Sequence, residues 1–291
     1  MGGRFMSTLL WASICMGLLA TAPPGSTATT PAAPKPGDIW QDPTTGIEFV
    51  WVEGGTYQMG CGAWSNDCGD YEKPVHEVSV SGFWIGKYSV TQGQWMKVIG
   101  GNPSHFKKGD NYPVEEVSWI DAKEFIRKLN SESGYTFRLP TEAEFEYAAR
   151  SGGKEELYPG GSNIDALAWY QDNSGFYINA PNVFVPAPDD LTNFRLETHP
   201  VGTKAPNGLG IYDMSGNVFQ WCEDIFDNDA YKKHQRNNPI YTDTGDGPFR
   251  YRVLRGCGFL SVSQGARCTG RWACPEDDRH QDIGFRLVRT P

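Results

Sequence analysis

Six cysteines lie beyond residue 28 of this 291-residue chain: Cys61, Cys68, Cys222, Cys257, Cys268 and Cys274. Thiols can pair as disulfides, hold a soft metal or act as nucleophiles. A structural zinc cluster is not indicated, because no C-x-x-C occurs and the five histidines are scattered. An even number of cysteines in an exported chain favours disulfides. Cys61 and Cys68 flank a short polar loop and are the easiest pair; the other four leave three pairings open. There is no G-x-S-x-G elbow, phosphate loop or H-E-x-x-H. Glu276, Asp277 and Asp278 form an acidic run, which in a loop is ordinarily a solvated surface.

The export on which the disulfide reading depends rests on residues 1–28. Arg4 gives a weak positive start, Leu9 to Ala20 is an apolar run too short for a dependable membrane span, and small residues follow, with a cleavage site expected at Ser26-Thr27-Ala28. A retained N-terminal anchor is the competing reading. Residues 29–44 read as a linker, with Pro and Ala dominating its first part, and one domain is expected over 45–291. The mature chain should be periplasmic, secreted or attached to the cell envelope, with no stable membrane span once the signal is removed, and monomeric by default. A net charge of -9 and the lack of a Lys/Arg cluster argue against nucleic acid as a partner. With 34 glycines and 20 prolines, the composition suits a loop-rich fold rather than a helical bundle.

Several elements can be placed from pattern. Gly46 to Met59 alternates apolar and polar residues about Gly54-Gly55, suggesting a hairpin. Val75 to Trp84 alternates again. Thr91 to Ile99, Ser118 to Leu129 and Thr141 to Arg150 read as helices. Thr91 and Thr141 are their N-caps, Gln94 and Glu144 stand at capping-box distance, and Asp121 lies in the first turn of the middle helix. Ser151 to Leu209 is mostly loop, needing metal or packed aromatics to order it, and Asn182 to Thr198 resembles an insertion. Ile211 to Cys222, Arg252 to Phe259 and Ile283 to Val288 look strand-like. No internal repeat is visible.

Taken in order, Gly54-Gly55-Thr56-Tyr57-Gln58-Met59-Gly60, Lys87-Tyr88-Ser89-Val90-Thr91-Gln92, Pro113-Val114-Glu115-Glu116-Val117-Ser118-Trp119, Arg138-Leu139-Pro140-Thr141-Glu142-Ala143-Glu144, Gly208-Leu209-Gly210-Ile211-Tyr212-Asp213-Met214-Ser215-Gly216-Asn217-Val218 and Gly284-Phe285-Arg286 form one pattern. It resembles the formylglycine-generating enzyme (sulfatase-modifying factor) family over about residues 45–290. The resemblance implies an α+β fold of C-type-lectin-like kind with little regular secondary structure. Arg138 with Glu142, Glu144 and Glu146 suits a buried structural charge network, since lone charges do not stay buried unpaired. The resemblance also implies a structural calcium site on Asp213, the carbonyls of Gly216 and Val218, and the side chain of Gln220, where the family usually has Glu. A metal-free turn is the competing reading, and a second site near Trp169 to Ser174 is less well matched.

The family's oxidase activity uses two cysteines five residues apart that hold copper(I) and convert a sulfatase cysteine to formylglycine. Here the first of those positions falls on Ser261, and the residue five later is not cysteine. Cys268 and Cys274 are the remaining candidates for a displaced catalytic pair, but copper is not expected, because an exported chain would more simply oxidise the two.

The C-terminal segment keeps Arg255, Gly256, Arg267, Arg271, Arg279 and Ile283-Gly284-Phe285-Arg286 at family spacing. Positions commonly asparagine carry other residues instead. In this it is similar to the variable proteins of diversity-generating retroelements, which display a rewritten binding face on a lectin-like fold; ordinary divergence is the competing reading. The expectation is a recognition surface for a protein or small ligand. Phe259, Leu260 and Trp272 would be its exposed anchors, and Ser261, Ser263, Gly265, His280 and Gln281 its accompanying contacts. The alternative function is an oxidoreductase of the family, acting on a sulfatase cysteine or as a related periplasmic oxidase.

Overall fold

The computed structural model describes residues 1–2, 33–178, 184–185, 193–243 and 250–291. The expected leader beyond its first two residues, and much of the expected insertion, lie outside the described residues. The elements run β1 (Ile39–Gln41), β2 (Glu48–Val52), β3 (Gly55–Met59), β4 (His76–Val80), β5 (Phe83–Gly86), α1 (Gln92–Ile99), α2 (Trp119–Ser133), β6 (Phe137–Arg138), α3 (Glu142–Ala149) and α4 (Ile164–Leu167). After them come β7 (Gly175–Tyr177), β8 (Phe184–Val185), β9 (Phe194–Leu196), β10 (Phe219–Ile225), α5 (Ala230–Lys233), β11 (Tyr251–Arg255), β12 (Trp272–Pro275), β13 (Ile283–Gly284) and β14 (Val288–Arg289). The result is α+β and loop-rich, as expected.

Four sheets form. The largest has the order β1-β2-β5-β14-β6, a second is β12-β11-β10-β13, and smaller ones are β3-β4 and β8-β7-β9. Ile39–Gln41, assigned from sequence to the linker, pairs with Glu48–Val50 and is therefore part of the first sheet. The hairpin expected about Gly54-Gly55 does not form: β2 pairs with β5, and β3 with β4. The chain changes sheet at Gly54 and again at Ser81-Gly82, so the single alternating run 75–84 becomes two strands. The two crossing points touch, because a Cβ on Gly54 would sit 2.6 Å from the Val80 carbonyl oxygen and 2.7 Å from the Gly82 nitrogen. Only glycine permits that approach.

All three expected helices begin where the caps place them. Thr91 with Gln94, Ser118 with Asp121, and Thr141 with Glu144 form reciprocal capping boxes. The middle helix runs past Leu129 and stops at Gly134, which is left-handed. Of the expected strand Ile211 to Cys222, only the part from Phe219 is extended; 211–218 forms turns. The closing strand is split into β13 and β14, which join different sheets.

Every residue of α3 is buried, including Glu142, Glu144 and Glu146. One side of the core packs Ala143, Phe145 and Ala148 with Tyr57, Val78 and Val253. The other gathers α2 residues Phe125 and Leu129 with Trp221, Leu254 and Phe285. The Trp221 indole N–H donates to the Val117 carbonyl at 2.9 Å, so its burial leaves no donor unmet.

Candidate functional site

The C-terminal segment enters through β11, a strand at the middle of the second sheet, and leaves it at Arg255 fully buried. Gly256 and Cys257 both have positive φ, at 86° and 53°, which turns the chain sharply away from the sheet. Residues 256–271 then form a compact loop with a 3₁₀ turn at Ser263–Ala266.

Three arginines hold this loop down. Arg255 donates to Glu146 at 2.7 Å and, within the loop, to the carbonyls of Cys268 at 2.8 Å and Thr269 at 3.1 Å. Arg271 Nε and Nη2 grip both oxygens of Glu142 at 2.6 and 2.9 Å. Arg267 does the same to Glu72 at 2.9 and 2.8 Å. Bidentate, charge-assisted pairs of this kind fix orientation as well as position. Burial pushes the Glu142 carboxyl up, but Arg271 and Arg255 outweigh it and hold it below the usual carboxylate range. The charge network expected around Arg138 is thus differently composed. Arg138 pairs with Glu144 at the helix start, while Glu142 and Glu146 are met by Arg255, Arg271 and Arg150.

Glu72 ends a second loop, residues 61–72, closed by the Cys61 N–H donating to the Glu72 carbonyl at 3.0 Å and stapled within by the Cys61–Cys68 disulfide. The pairing expected for these two cysteines is the one present. The other four are free and buried. Burial pushes the Cys257 and Cys274 thiols up to about 12, with Asp278 adding to the effect at Cys274, and it raises Cys222 and Cys268 well above the usual value. Cys268 packs with Tyr57, Met59 and Val253, whereas Cys274 packs on the other side of the core with Trp221 and Leu254. The fold therefore does not bring Cys268 and Cys274 together as a pair, because they leave opposite sides of the same sheet region.

The recognition residues expected from sequence divide. Phe259 is not an exposed anchor: it is 0% exposed, stands edge-on to Phe106 at 5.5 Å, and its carbonyl accepts from Ser174 Oγ at 2.9 Å. Leu260 and Trp272 are exposed, at 40% and 41%, and Val262 joins them at 52%. Ser261 is absorbed in a short turn, its Oγ accepting from the Gly258 N–H at 3.3 Å and its carbonyl from Gln171 N–H at 3.0 Å. Ser263 is partly buried. Gly265 and Trp272 line a cavity of about 210 Å³, together with Val262 and Gln264 from the loop and Asp67 and Tyr71 from the 61–72 loop. Asp67 and Tyr71 were missed by sequence reasoning, although Asp67 lies between Cys61 and Cys68 and Tyr71 just beyond them. His280 and Gln281 do not line this cavity. They lie beside Glu116, whose N–H donates to the His280 carbonyl at 3.0 Å.

Two of the residues implied for calcium, Asp213 and Gln220, are engaged otherwise. Gln220 Nε2 donates to the Asp213 carbonyl at 2.8 Å, and Gln220 Oε1 accepts from Arg286 Nε. Arg286 Nη2 also donates to the Asp213 carbonyl at 2.9 Å, and Asp213 Oδ2 accepts from Gly202 N–H at 2.7 Å. Calcium needs about six to eight oxygens, and here a guanidinium already takes the side-chain oxygen of Gln220. With Gln220 so occupied, Asp213, Gly216, Val218 and Gln220 do not offer calcium the full oxygen set that the resemblance implies.

Comparison with known proteins agrees with the fold. The chaperone protein LppX of Paenibacillus barcinonensis is 38% identical over 282 residues, covering 85% of this chain and 91% of that one. The structure of PvdO from Pseudomonas aeruginosa superposes with a TM-score of 0.72 at 25% identity, covering 89% of this chain and all of PvdO. Treponema denticola variable protein 1 superposes with a TM-score of 0.65 at 26% identity, covering 87% and 99%. A family model, the sulfatase-modifying factor enzyme 1-like domain, matches residues 35–291, and the chain belongs to that family.

Proposed function

We propose that the chain is an exported binding member of its family, and that the loop face of the C-terminal segment engages a protein partner. The observation that carries this reading is the placement of Leu260, Val262 and Trp272. Leu260 and Val262 stand exposed on a loop, and Trp272 on the strand that follows it, and the buried Arg255, Arg267 and Arg271 of this segment each meet a carboxylate. Apolar side chains on a rigid, preordered loop lose little entropy on binding, and an aromatic among them is a favoured anchor. The similarity to a protein named as a chaperone supports a polypeptide partner, and the similarity to a variable protein supports a face that tolerates substitution. Export is supported by the leader-like residues 1–28 and by the Cys61–Cys68 disulfide. Among the described residues no helix is long and apolar enough to cross a membrane.

The test compares the mature chain with a Leu260→Asp, Val262→Asp, Trp272→Asp variant, using a reduced, carboxymethylated test protein as an unfolded probe. Titration calorimetry should show saturable binding by the parent, weakened in the variant by roughly tenfold or more, with unchanged thermal unfolding. Equal binding by both, or none by the parent, would sink the proposal.

The oxidase alternative needs two thiolates on one copper ion. Ser261 and Ala266 stand where the family resemblance puts that pair. No turnover of a Cys-x-Pro-x-Arg peptide in the presence of copper(I) is expected; turnover would restore the enzymatic reading.

A further inference from the structure

β12 is an edge strand, and its buried Cys274 lies opposite Arg252 of β11. After Pro275 the chain turns back, with the Asp278 N–H donating to the Pro275 carbonyl at 3.1 Å. That turn puts three different metal-ligating groups in one place: the Cys274 thiol, the Asp278 carboxylate and the His280 imidazole, each with a ligand atom within 4.8 Å of the others. Cys274 Sγ lies 3.8 Å from Asp278 Oδ2. Among the described residues no other group of at least three His, Cys, Asp or Glu side chains meets the same condition.

We propose that Cys274, Asp278 and His280 form a binding site for a divalent ion of borderline softness, zinc(II) foremost. A thiolate, an imidazole and a carboxylate are the three ligand types zinc accepts, and three protein ligands leave a fourth tetrahedral position open. The mixed set argues against calcium and magnesium, which take oxygen ligands. Copper(I) chemistry of the family's kind would need a second thiolate.

The backbone around the site is already fixed. The His280 carbonyl accepts from Glu116 N–H at 3.0 Å and Ile283 N–H at 3.1 Å. Arg279, between two of the ligands, is turned away and clamped to both oxygens of Asp121 at 2.7 and 2.9 Å. It therefore does not compete for Asp278, and Asp277 and Asp282 add negative charge nearby. Asp278 and His280 are exposed, so an ion can enter without the core opening. The open coordination position would face solvent, or a donor atom of a bound partner, two residues along β12 from Trp272. This site stands independently of the recognition reading.

The test uses tag-free mature protein stripped with a chelator, then titrated with zinc(II) by calorimetry and with cobalt(II) by absorption spectroscopy. One equivalent should bind, and cobalt should give a thiolate-to-metal charge-transfer band. His280→Ala and Asp278→Asn change exposed side chains and should leave folding intact. Each should weaken binding at least as much as loss of an outer-shell partner does, roughly tenfold or more. Cys274→Ser should abolish the charge-transfer band, and Cys268→Ser should leave it. Absence of saturable binding, or binding unaffected by both His280→Ala and Asp278→Asn, would overturn the assignment and leave the thiol–carboxylate contact as a hydrogen bond only.

Discussion

Within the C-terminal segment, Arg255, Arg267 and Arg271 are buried with a carboxylate for each, whereas Leu260, Val262 and Trp272 stand in solvent a few residues away. This inverts the usual placement of charged and apolar side chains. The charges are inside because they are paired, and their role is to fix the path of a loop that has little regular structure. The apolar residues are outside because that path is fixed without them. A frame of this kind lets the surface change while the loop stays in place.

The comparison can be broken most severely at α3. Glu142→Ala should strand Arg271 and deprive Arg255 of one of its two carboxylates, costing about 3–5 kcal/mol in urea unfolding. A loss within ~1 kcal/mol would show that the frame is dispensable. Next in size is a contrast between neighbours. Phe259→Ala should cost about 3–4 kcal/mol as a core truncation, while Leu260→Ala should stay within about 0.5 kcal/mol. Similar costs at both positions would erase the boundary between frame and face.

The Cys61–Cys68 bridge staples the 61–72 loop, at whose end Glu72, Arg267's partner, accepts from the Cys61 N–H. A Cys61→Ser, Cys68→Ser variant should lose about 2 kcal/mol, the entropy of closing so short a loop. The Arg267 side of the cavity should also become more mobile, measurable as faster amide exchange over 262–272.

The smallest expected effect is acidic destabilisation through His234, which sits 3.1 Å from His76 between their ring nitrogens. Burial, reinforced by His76 and Arg271, depresses its pKa to about 4. A histidine depressed in the folded state takes up its proton first in the unfolded chain. Its contribution is therefore complete above about pH 6.5 and is lost as pH falls toward 4; between pH 7 and pH 5 the loss is roughly 1–2 kcal/mol. Urea midpoints measured at pH 7 and pH 5 should converge in a His234→Phe variant; an unchanged slope would remove His234 from the account.

How far the sequence could be read depended on the range of each interaction. The helix starts at Thr91, Ser118 and Thr141 were legible because a capping box is closed within four residues. The Cys61–Cys68 pair was legible because its loop is short. The sheet changes at Gly54 and Gly82 were not, since alternation runs unbroken through both glycines and the partners lie elsewhere in the chain. Phe259 was misplaced for a similar reason. Nothing local distinguishes it from Leu260, and Phe106, far away in sequence, is what encloses it.

By itself the sequence determined the family, the α+β class, the helix caps and the loss of a cysteine at position 261, all of which are written in residue identity and short spacing. Tertiary structure decided which arginine meets which glutamate, that Arg286 takes the Gln220 oxygen expected for calcium, and that Cys268 and Cys274 lie apart. It also showed that the local turn after Pro275 brings Cys274, Asp278 and His280 together, a spacing that matches neither C-x-x-C nor a histidine pair. For the rest the physical reason is the same: an ion pair or a buried ring is defined by distance in space, and in a loop-rich fold that distance is set by long-range packing rather than by spacing along the chain.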